Sequence, residues 1–514
     1  MSASTEKKNR VASREAGTDK KTLAMKEEAA KKAKTKRKWT IIGVATVVVI
    51  AAILVLNFVC PRYSAAVVIG DEGYTAAEVN YNYANQYYNF ANQYGQYASM
   101  FGLDTQYGVS GLRSQECSMT DGGTWRDYFI GDAITAMTQY KALNDYAAEN
   151  GIALSDEEKA EIDEQYASLD AAAEQNGFSS TEKFIAAYYG SGVTEKIAKE
   201  QAYVLALASK AAQTYQDSLQ YTPAELAEQY AGYNGDKDYF DVCSYYVSAE
   251  LVEDEEGNSA ATEETIAAAK KTAEDILAAY NSEELAEETD VETRLNEAMA
   301  RAGVEAECSH SQRALGSSIS AYKDWALSAS EGDATVAENA NGDGFYVAAF
   351  IGHDDNNYKL AKVRHILIKA EADADGNYTD EAKAAAKAEA ERIYDEWKSG
   401  DATDDSFAAL AEQYSEDTGS NTNGGLYDAV QKGQMVEEFD AFCFGGHKSG
   451  DTAIVYGESG SYAGYHIMYY VGEGELCSEY IAKTDLVNNA MDEWMQELTG
   501  KYTAEQTFWA RYIG

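Results

Sequence analysis

The chain has 514 residues, enough for roughly two to four domains of ordinary size. Its 86 Asp and Glu against 42 Lys and Arg give a net charge of −44, and such a surface repels phosphate backbones, so nucleic acid is a poor partner for the main body. A hydrophobic fraction of 45% is enough for packed cores and excludes a wholly disordered chain.

The beginning of the chain differs from the rest in charge. Residues 1–38 hold 13 Lys and Arg against 5 Asp and Glu, whereas the 21 residues 39–59 hold no charge. A run of that length matches the ~20 residues that cross a bilayer as a helix. Because basic residues 36–38 precede it, the positive-inside rule predicts a cytoplasmic tail, a single span and an extracytoplasmic body. The alternative, a cleaved signal peptide, has a shorter apolar run of ~7–15 residues.

Residues 74–107 are crowded with Tyr and Asn. Such a composition suits contact with another chain, but the favoured interpretation is an amphipathic helix packed on its own domain. From residue 124 to 233, apolar residues recur at three- and four-residue intervals, which predicts helices. Thr222, Pro223 and Glu225 predict a further helix start with a capping box. We therefore expect residues 60–236 to form an all-helical domain.

The next part of the chain contains one pattern twice. The aligned segments are DVCSYYVSAE with KVRHILIKAE, and GFYVAAFIG with GYHIMYYVG. From Ser244 to Tyr346 is 102 residues, and from His365 to His466 is 101. Because the repeat keeps its length between corresponding positions, the sequence predicts two tandem domains of mixed strands and helices.

In the second copy, both histidine-bearing segments alternate as strands. If they pair antiparallel, residues directly opposite are ~4.5–5.5 Å apart at Cβ, so His365 and His466 share one face. Two amphipathic helices between them are predicted to cover the sheet. Their apolar faces are Ala386, Ala390, Ile393 and Trp397, and Phe407, Leu410, Ala411 and Tyr414.

Four motifs follow in order in this copy: VRHILI, YSEDTGSNTNGG, GQMVEEF and GYHI. Over about residues 359–474 they resemble the parvulin family of peptidyl-prolyl isomerases, most closely the extracytoplasmic foldases of the PrsA and SurA type. The resemblance implies that His365 and His466 are paired imidazoles under the substrate, with Asp417 at a position that the family fills with Asp or Cys. The implied lining of the proline pocket is Met435, Phe439 and Phe442, with Tyr427 where a Leu is usual.

Isomerisation of a Xaa-Pro bond breaks no covalent bond, but its barrier is ~18–20 kcal/mol. A site that holds the proline ring in an apolar cup and supplies hydrogen bonds favours the twisted amide. We expect Asp417 and the two histidines to form a hydrogen-bonded network of this kind, not a nucleophile and its base. The alternative is a satisfied structural network with no chemistry.

In the first copy, Ser244 stands where His365 does and Tyr346 where His466 does, and no GQM-type stretch occurs. This copy is predicted to be degenerate, either binding and bracing unfolded chains or acting as a spacer. No CxxC, HExxH or Cys/His cluster occurs, and the cysteines after the span are irregularly placed. We therefore predict no metal site and no cofactor, and leave one or two disulfide bridges open.

The fold class expected is α+β. The predicted parts are a basic cytoplasmic tail (1–38), a transmembrane helix (39–59), an all-helical chaperone-like domain (60–236), a degenerate parvulin-like domain (237–356), a parvulin domain (357–474) and C-terminal helices (475–514) that fold back onto the helical domain.

The function predicted is that of a single-pass membrane isomerase and foldase for exported proteins that contain Xaa-Pro bonds. Alternatives are a catalytically silent holdase or scaffold, and a surface structural protein with an acidic, Tyr-rich face.

Overall fold

The computed structural model describes residues 3–16, 19–54, 60–120, 122–253, 258–285, 290–374, 376–460 and 462–514. The chain divides into two compact units. They are Met1–Leu219 together with Ala490–Gly514, and Gln220–Asn489.

The helix that carries the predicted span is α2, Lys20–Leu54, after a first helix, α1, Ala3–Glu15. Within the described ranges, α2 is the one helix long and apolar enough to cross a membrane by length and composition. Residues 55–59 of the predicted span lie outside the described residues.

The rest of the first unit begins with a short hairpin and continues with helices. Its helix α4 starts at a capping box between Thr75 and Glu78, and it buries Tyr83, Tyr87 and Phe90 in the core of the unit. The Tyr-rich segment therefore packs on its own unit, as the favoured interpretation predicts. The elements are α3 (Cys60–Tyr63), β1 (Ala65–Ile69), β2 (Glu72–Thr75), α4 (Ala76–Tyr94), α5 (Trp125–Asn150), α6 (Asp156–Ala167), α7 (Leu169–Gln175), α8 (Thr181–Tyr189) and α9 (Glu195–Ser218).

The second unit opens with α10, Pro223–Gly232, whose capping box and N-terminal proline are as predicted. Four antiparallel strands then form a sheet in the order β6-β3-β8-β7. Helices α11 and α12 pack on one face of it. The elements are β3 (Tyr239–Ser248), β4 (Leu251–Glu253), β5 (Ser259–Ala261), α11 (Glu263–Tyr280), α12 (Val291–Arg301), β6 (Ser309–Leu315), α13 (Lys323–Ala326), β7 (Ala334–Glu338) and β8 (Gly344–Asp354).

A second four-stranded antiparallel sheet has the corresponding order β10-β9-β12-β11. Helices α14 and α15 bury the apolar faces predicted for them against it, around Trp397 and Phe407. Helix α16 packs with the opposite face. The elements are β9 (Lys359–Lys369), α14 (Asp380–Ser399), α15 (Asp404–Tyr414), β10 (Leu426–Val430), α16 (Glu437–Cys443), β11 (Thr452–Ser459) and β12 (Tyr462–Leu476).

The chain ends with helix α17, Cys477–Thr499, strand β13, Ala504–Gln506, and a 3-10 turn. Strand β13 pairs with β1, which in turn pairs with β2. The expectation of an all-helical domain at 60–236 is therefore wrong, and so is that of a purely helical C-terminus. The helical periodicity begins only at residue 124, whereas the segment AAVVI forms β1 and is followed by Gly70, whose φ of +61° suits a tight turn between two strands. The C-terminal segment does return to the first unit.

Candidate active site

The histidine-bearing strands are the two central strands of the second sheet. They run antiparallel, with His365 opposite Met468 and His466 opposite Leu367. The two histidines are thus diagonal neighbours on one face, since residues two apart on a strand point to the same side. The prediction that His365 and His466 share one face of the sheet is confirmed. The assumption that they lie directly opposite each other is wrong.

The two imidazoles touch in spite of the diagonal offset. Their Nδ1 atoms are 3.1 Å apart, and both residues are 3% exposed. Nε2 of His365 lies 2.9 Å from Oδ2 of Asp417. A carboxylate only accepts, so Nε2 of His365 carries the proton; Nδ1 of His365 then accepts from Nδ1 of His466. The carboxylate therefore sets the tautomer of both rings.

Asp417 reaches His365 from the loop between α15 and β10, which runs along β9. In this loop Ser415 accepts a hydrogen bond from the backbone N–H of Leu367 at 3.1 Å. The carbonyl of Gly425 accepts one from the N–H of His365 at 2.9 Å. Gly425 has φ +71°, and a Cβ there would lie 2.2 Å from the carbonyl oxygen of His365. Only glycine allows this approach.

Oδ2 of Asp417 is the acceptor for three side chains. Besides His365 it accepts from the Ser420 hydroxyl at 2.5 Å and from the Tyr427 hydroxyl at 3.0 Å. The hydrogen bond from His365, followed by that from Ser420, holds the pKa of Asp417 far below its usual value. Asp417 is therefore ionised at neutral pH.

His466 is kept neutral by its surroundings. Burial, with the neighbouring His365 as a second cause, lowers the pKa of His466 to about 3. Its Nε2 lies 3.0 Å from the hydroxyl of Tyr462. Because Nδ1 of His466 carries the ring proton, Nε2 accepts from this hydroxyl.

An apolar wall adjoins the imidazoles. The ring of Phe439, on α16, stands edge-on to both of them, with centroids 5.3 Å from His365 and 5.3 Å from His466. Tyr427 lies 5.2 Å from His365 by ring centroids, and burial, then the charge of Asp417, raises the pKa of Tyr427 to about 12. Its hydroxyl thus stays protonated and able to donate.

The remaining two predicted pocket residues lie farther along the same apolar cluster. Met435 packs partly exposed against it. Phe442 is buried in it and stacks on His447, with ring centroids 4.3 Å apart. The structure therefore brings His365, Asp417, His466, Tyr427 and Phe439 into direct contact, whereas the ring contacts of Phe442 lead to His447 and Tyr470.

Two residues of the network were missed by sequence reasoning. Tyr462 lies four positions before His466 on one strand, a spacing that places both side chains on the same face. Ser420 follows Asp417 by three positions, a spacing at which a hydroxyl reaches a carboxylate within one turn. Both signals were present in the sequence, but neither is distinctive without knowledge of the pairing.

In chemical terms the site is a hydrogen-bonded floor that ends in the carboxylate of Asp417, beside an aromatic wall. One chain of hydrogen bonds runs from Tyr462 through His466 and His365 to Asp417. Such a chain polarises its members and fixes their positions. It has neither an activated nucleophile nor a leaving-group acid, so it suits a reaction that changes shape and polarity without breaking a bond.

The first sheet keeps the register but not the residues. Ser244 pairs with Ala348, and Tyr346 pairs with Tyr246, so Ser244 and Tyr346 are related by the same diagonal offset as the two histidines. Tyr346 packs against Tyr246, with ring centroids 4.8 Å apart. In the first sheet, the hydroxyl of Ser244 and the aromatic ring of Tyr346 thus replace the two imidazoles of the second sheet.

The fold and the site of the second sheet are those of one class of domain. Residues 365–472 match the family model of the rotamase, or PPIC-type peptidyl-prolyl isomerase, domain. The chain therefore contains a parvulin-type domain, which confirms the resemblance drawn from its motifs.

The relatives found among characterised proteins are foldases. The chain is 32% identical over 151 residues to foldase protein PrsA 3 of Bacillus cereus, and equally to that of Bacillus anthracis. The match covers 29% of this chain and 44% of each relative, less than half of its length. Among solved structures, PrsA from Bacillus subtilis is 17% identical, with 76% of this chain and 92% of that chain covered and a TM-score of 0.28.

Proposed function

We propose that this protein is a membrane-anchored peptidyl-prolyl cis-trans isomerase and foldase that assists exported proteins containing Xaa-Pro bonds. The observation that carries the proposal is the contact of His365 with His466 beside Phe439, inside a matched isomerase domain. The proposed catalytic residues are His365, Asp417 and His466, and the proposed substrate-binding residues are Met435, Phe439, Phe442 and Tyr427.

The proposed mechanism is stabilisation of the twisted imide. Phe439 and Met435 hold the proline ring, and the floor of imidazoles sets the polarity under the bond. As the amide loses resonance its dipole changes, and hydrogen-bonding groups already fixed in place stabilise the new dipole without the reorganisation that water requires. Each ~1.4 kcal/mol gained in the twisted form raises the rate tenfold.

The proposed topology follows the charge pattern. The basic tail, residues 1–38, lies in the cytoplasm, residues 39–59 cross the membrane once, and the body lies outside. The body comprises a chaperone-like domain (60–236), a degenerate parvulin-like domain (237–356), the parvulin domain (357–474) and a C-terminal segment (475–514). The equal register of the two sheets supports the tandem arrangement.

The test is a protease-coupled isomerisation assay on a Xaa-Pro peptide with the full chain in detergent. We expect His466→Ala to lose at least about tenfold in kcat/KM, since it removes the centre of the network, a change of about 1.4 kcal/mol or more. The matched control is Ser244→Ala in the first sheet, for which we expect no change. If the wild-type protein has no activity, or if His466→Ala is as active as the wild type, the proposed isomerase activity of this site is rejected.

A second candidate is a holdase that binds unfolded chains. It is favoured by an apolar cavity of about 580 Å³ in the first unit. Its walls include Tyr81, Tyr166, Leu169, Ile185, Tyr189 and Leu205. A client without proline separates the two activities: if His466→Ala still suppresses its aggregation like the wild type, holding does not depend on the isomerase site.

A further inference from the structure

A cluster of metal-binding residue types lies in the first sheet, on the face covered by α11 and α12. Cys243 is on β3 and is paired with His310 on β6. Cys308 precedes His310 by two positions, and its backbone N–H is held by Asn296 of α12 at 2.8 Å. Glu292, also on α12, completes the cluster. The prediction of no metal site did not take this cluster into account, because Cys243 on β3 and Glu292 on α12 are far in sequence from the segment Cys308-Ser309-His310.

The donor atoms converge. One ligand atom from each of Cys243, Glu292 and His310 lies within 4.8 Å of the other two. Nδ1 of His310 is 3.0 Å from Oε2 of Glu292. The thiol of Cys243 is hydrogen-bonded to the sulfur of Cys308, which itself lies 4.0 Å from the backbone oxygen of Glu292. Three donors are thus grouped around one point, and the sulfur of Cys308 lies beside that of Cys243.

The donor set selects the kind of ion. Two thiolates, an imidazole and a carboxylate suit Zn²⁺, with Zn–S distances of ~2.3 Å and Zn–N and Zn–O distances of ~2.0–2.2 Å. Hard cations such as Ca²⁺ and Mg²⁺ take oxygen ligands and do not use thiolates. The donor atoms of Cys243, Glu292 and His310, which lie within 4.8 Å of one another, and the neighbouring sulfur of Cys308 reach a tetrahedral site through side-chain rotation.

The outer contacts also fit a metal site. Nε2 of His310 lies 2.8 Å from Oδ1 of Asp241. Histidine ligands of metals usually donate their second ring N–H to a carboxylate, which fixes the ring and raises its basicity. Cys243 is fully buried, whereas the side chains of His310 and Glu292 are 27% and 46% exposed. An ion therefore has a path from solvent to the buried sulfur.

We propose that this cluster binds one Zn²⁺ ion or a similar thiophilic divalent cation. Sγ of Cys243, Sγ of Cys308, Nδ1 of His310 and an oxygen of Glu292 are the ligands, and both thiols and the Nδ1–H of His310 release their protons to solvent on binding. The ion ties β3 and β6 to α12. Because side chains alternate along β3, the site faces away from Ser244, so it is separate from the position that corresponds to the isomerase site.

The test uses the full chain in detergent, stripped with a chelator and kept reduced. Titration with Zn²⁺ against a chromophoric chelator is expected to give one equivalent bound tightly. Titration with Co²⁺ is expected to give a thiolate charge-transfer band and strong d–d bands of tetrahedral geometry. Both signals should disappear in the double variant Cys243→Ser with Cys308→Ser. The control is Cys443→Ser, a buried cysteine at the end of α16, beside the second sheet, for which both signals should persist.

Variants at the partly exposed residues avoid loss of the fold. We expect His310→Asn to remove tight binding, and Asp241→Asn, which changes only the outer partner, to weaken it about 10–100-fold, with unchanged circular dichroism in both. Absence of stoichiometric Zn²⁺ and of the Co²⁺ spectrum, or their persistence in His310→Asn, would overturn the proposal. A Cys243–Cys308 disulfide in protein isolated without reductant, found by peptide mapping, would also overturn it in favour of a structural bridge.

Discussion

Nδ1 of His365 and Nδ1 of His466 are 3.1 Å apart, although the two residues are not opposite each other in the sheet. Diagonal neighbours are ordinarily about 7–8 Å apart, somewhat less at Cβ, so contact requires that the two rings lean toward each other. Asp417 on one side and Tyr462 on the other hold the rings in this position. The contact is therefore a property of the four-residue network and depends on each of its ends.

The first prediction concerns Asp417, the anionic end. Asp417→Asn keeps the size of the side chain but removes the charge that three donors share. A hydrogen bond to a charged group contributes about 1.5–3 kcal/mol, so we expect kcat/KM for a Xaa-Pro peptide to fall about 10–100-fold. Asp428→Asn, an exposed aspartate on the adjoining strand, should have wild-type activity. A smaller effect at Asp417 than at Asp428 would contradict this account.

The second prediction concerns Tyr462, the neutral end. Tyr462→Phe removes the hydroxyl that lies 3.0 Å from Nε2 of His466 and leaves a buried acceptor unpaired. A neutral hydrogen bond contributes about 0.5–1.5 kcal/mol, so we expect a loss of roughly 2–10-fold in kcat/KM. The comparison is Tyr456→Phe, whose hydroxyl binds Glu458 outside the network. Equal losses in both variants would mean that Tyr462 does not position His466.

The third prediction is the pH dependence of stability. The pKa of His466 is about 3 in the folded protein, against the ordinary histidine value of 6.5. The unfolded chain therefore binds the extra proton between these values, so the stability is full above about pH 6.5 and decreases as the pH falls. The pKa of Asp417 is also lowered. Its ionised form therefore contributes stability that is lost as the pH falls below the ordinary pKa of an aspartate. We expect the free energy of unfolding to be about 2 kcal/mol lower at pH 5 than at pH 7.5 because of His466.

Calorimetry of the wild type and of His466→Phe checks this expectation. Phenylalanine has a similar size and does not titrate, so the variant should show a smaller fall in the melting temperature between pH 7.5 and pH 5. The same fall in both proteins would show that groups other than His466 control the acid sensitivity.

The fourth prediction concerns Gly425, in the loop that carries Asp417. It distinguishes the strain of a positive φ angle from the steric clash of a Cβ with the backbone of His365. Gly425→Ala introduces a left-handed alanine and a Cβ 2.2 Å from the carbonyl oxygen of His365. Gly376→Ala introduces the same kind of strain at φ +84° with nothing within 4 Å, a cost of about 1–2 kcal/mol. We expect Gly425→Ala to be clearly less stable in urea unfolding and to lose activity, and Gly376→Ala to keep it. Similar losses in both variants would assign the effect to the φ angle alone.

Much of the candidate site was predictable because its signals are local. The histidine segments alternate as strands, and the helices between them have apolar faces at helical spacing, around Trp397 and Phe407. The family motifs then placed Asp417 in the predicted hydrogen-bonded network and Phe439 in the predicted proline pocket. Tyr462 and Ser420 were not predicted, since a tyrosine or serine near a histidine is common and only strand register shows where it points.

The sequence by itself determined the uncharged run of residues 39–59, the helices, and the repetition of one strand pattern, because charge and periodicity are written in consecutive residues. The tertiary structure decided the diagonal contact of the histidines, the pairing of β13 with β1, and the grouping of Cys243 with Glu292 and His310. These contacts join residues far apart in the chain, and their geometry follows from register and packing, which no local pattern encodes.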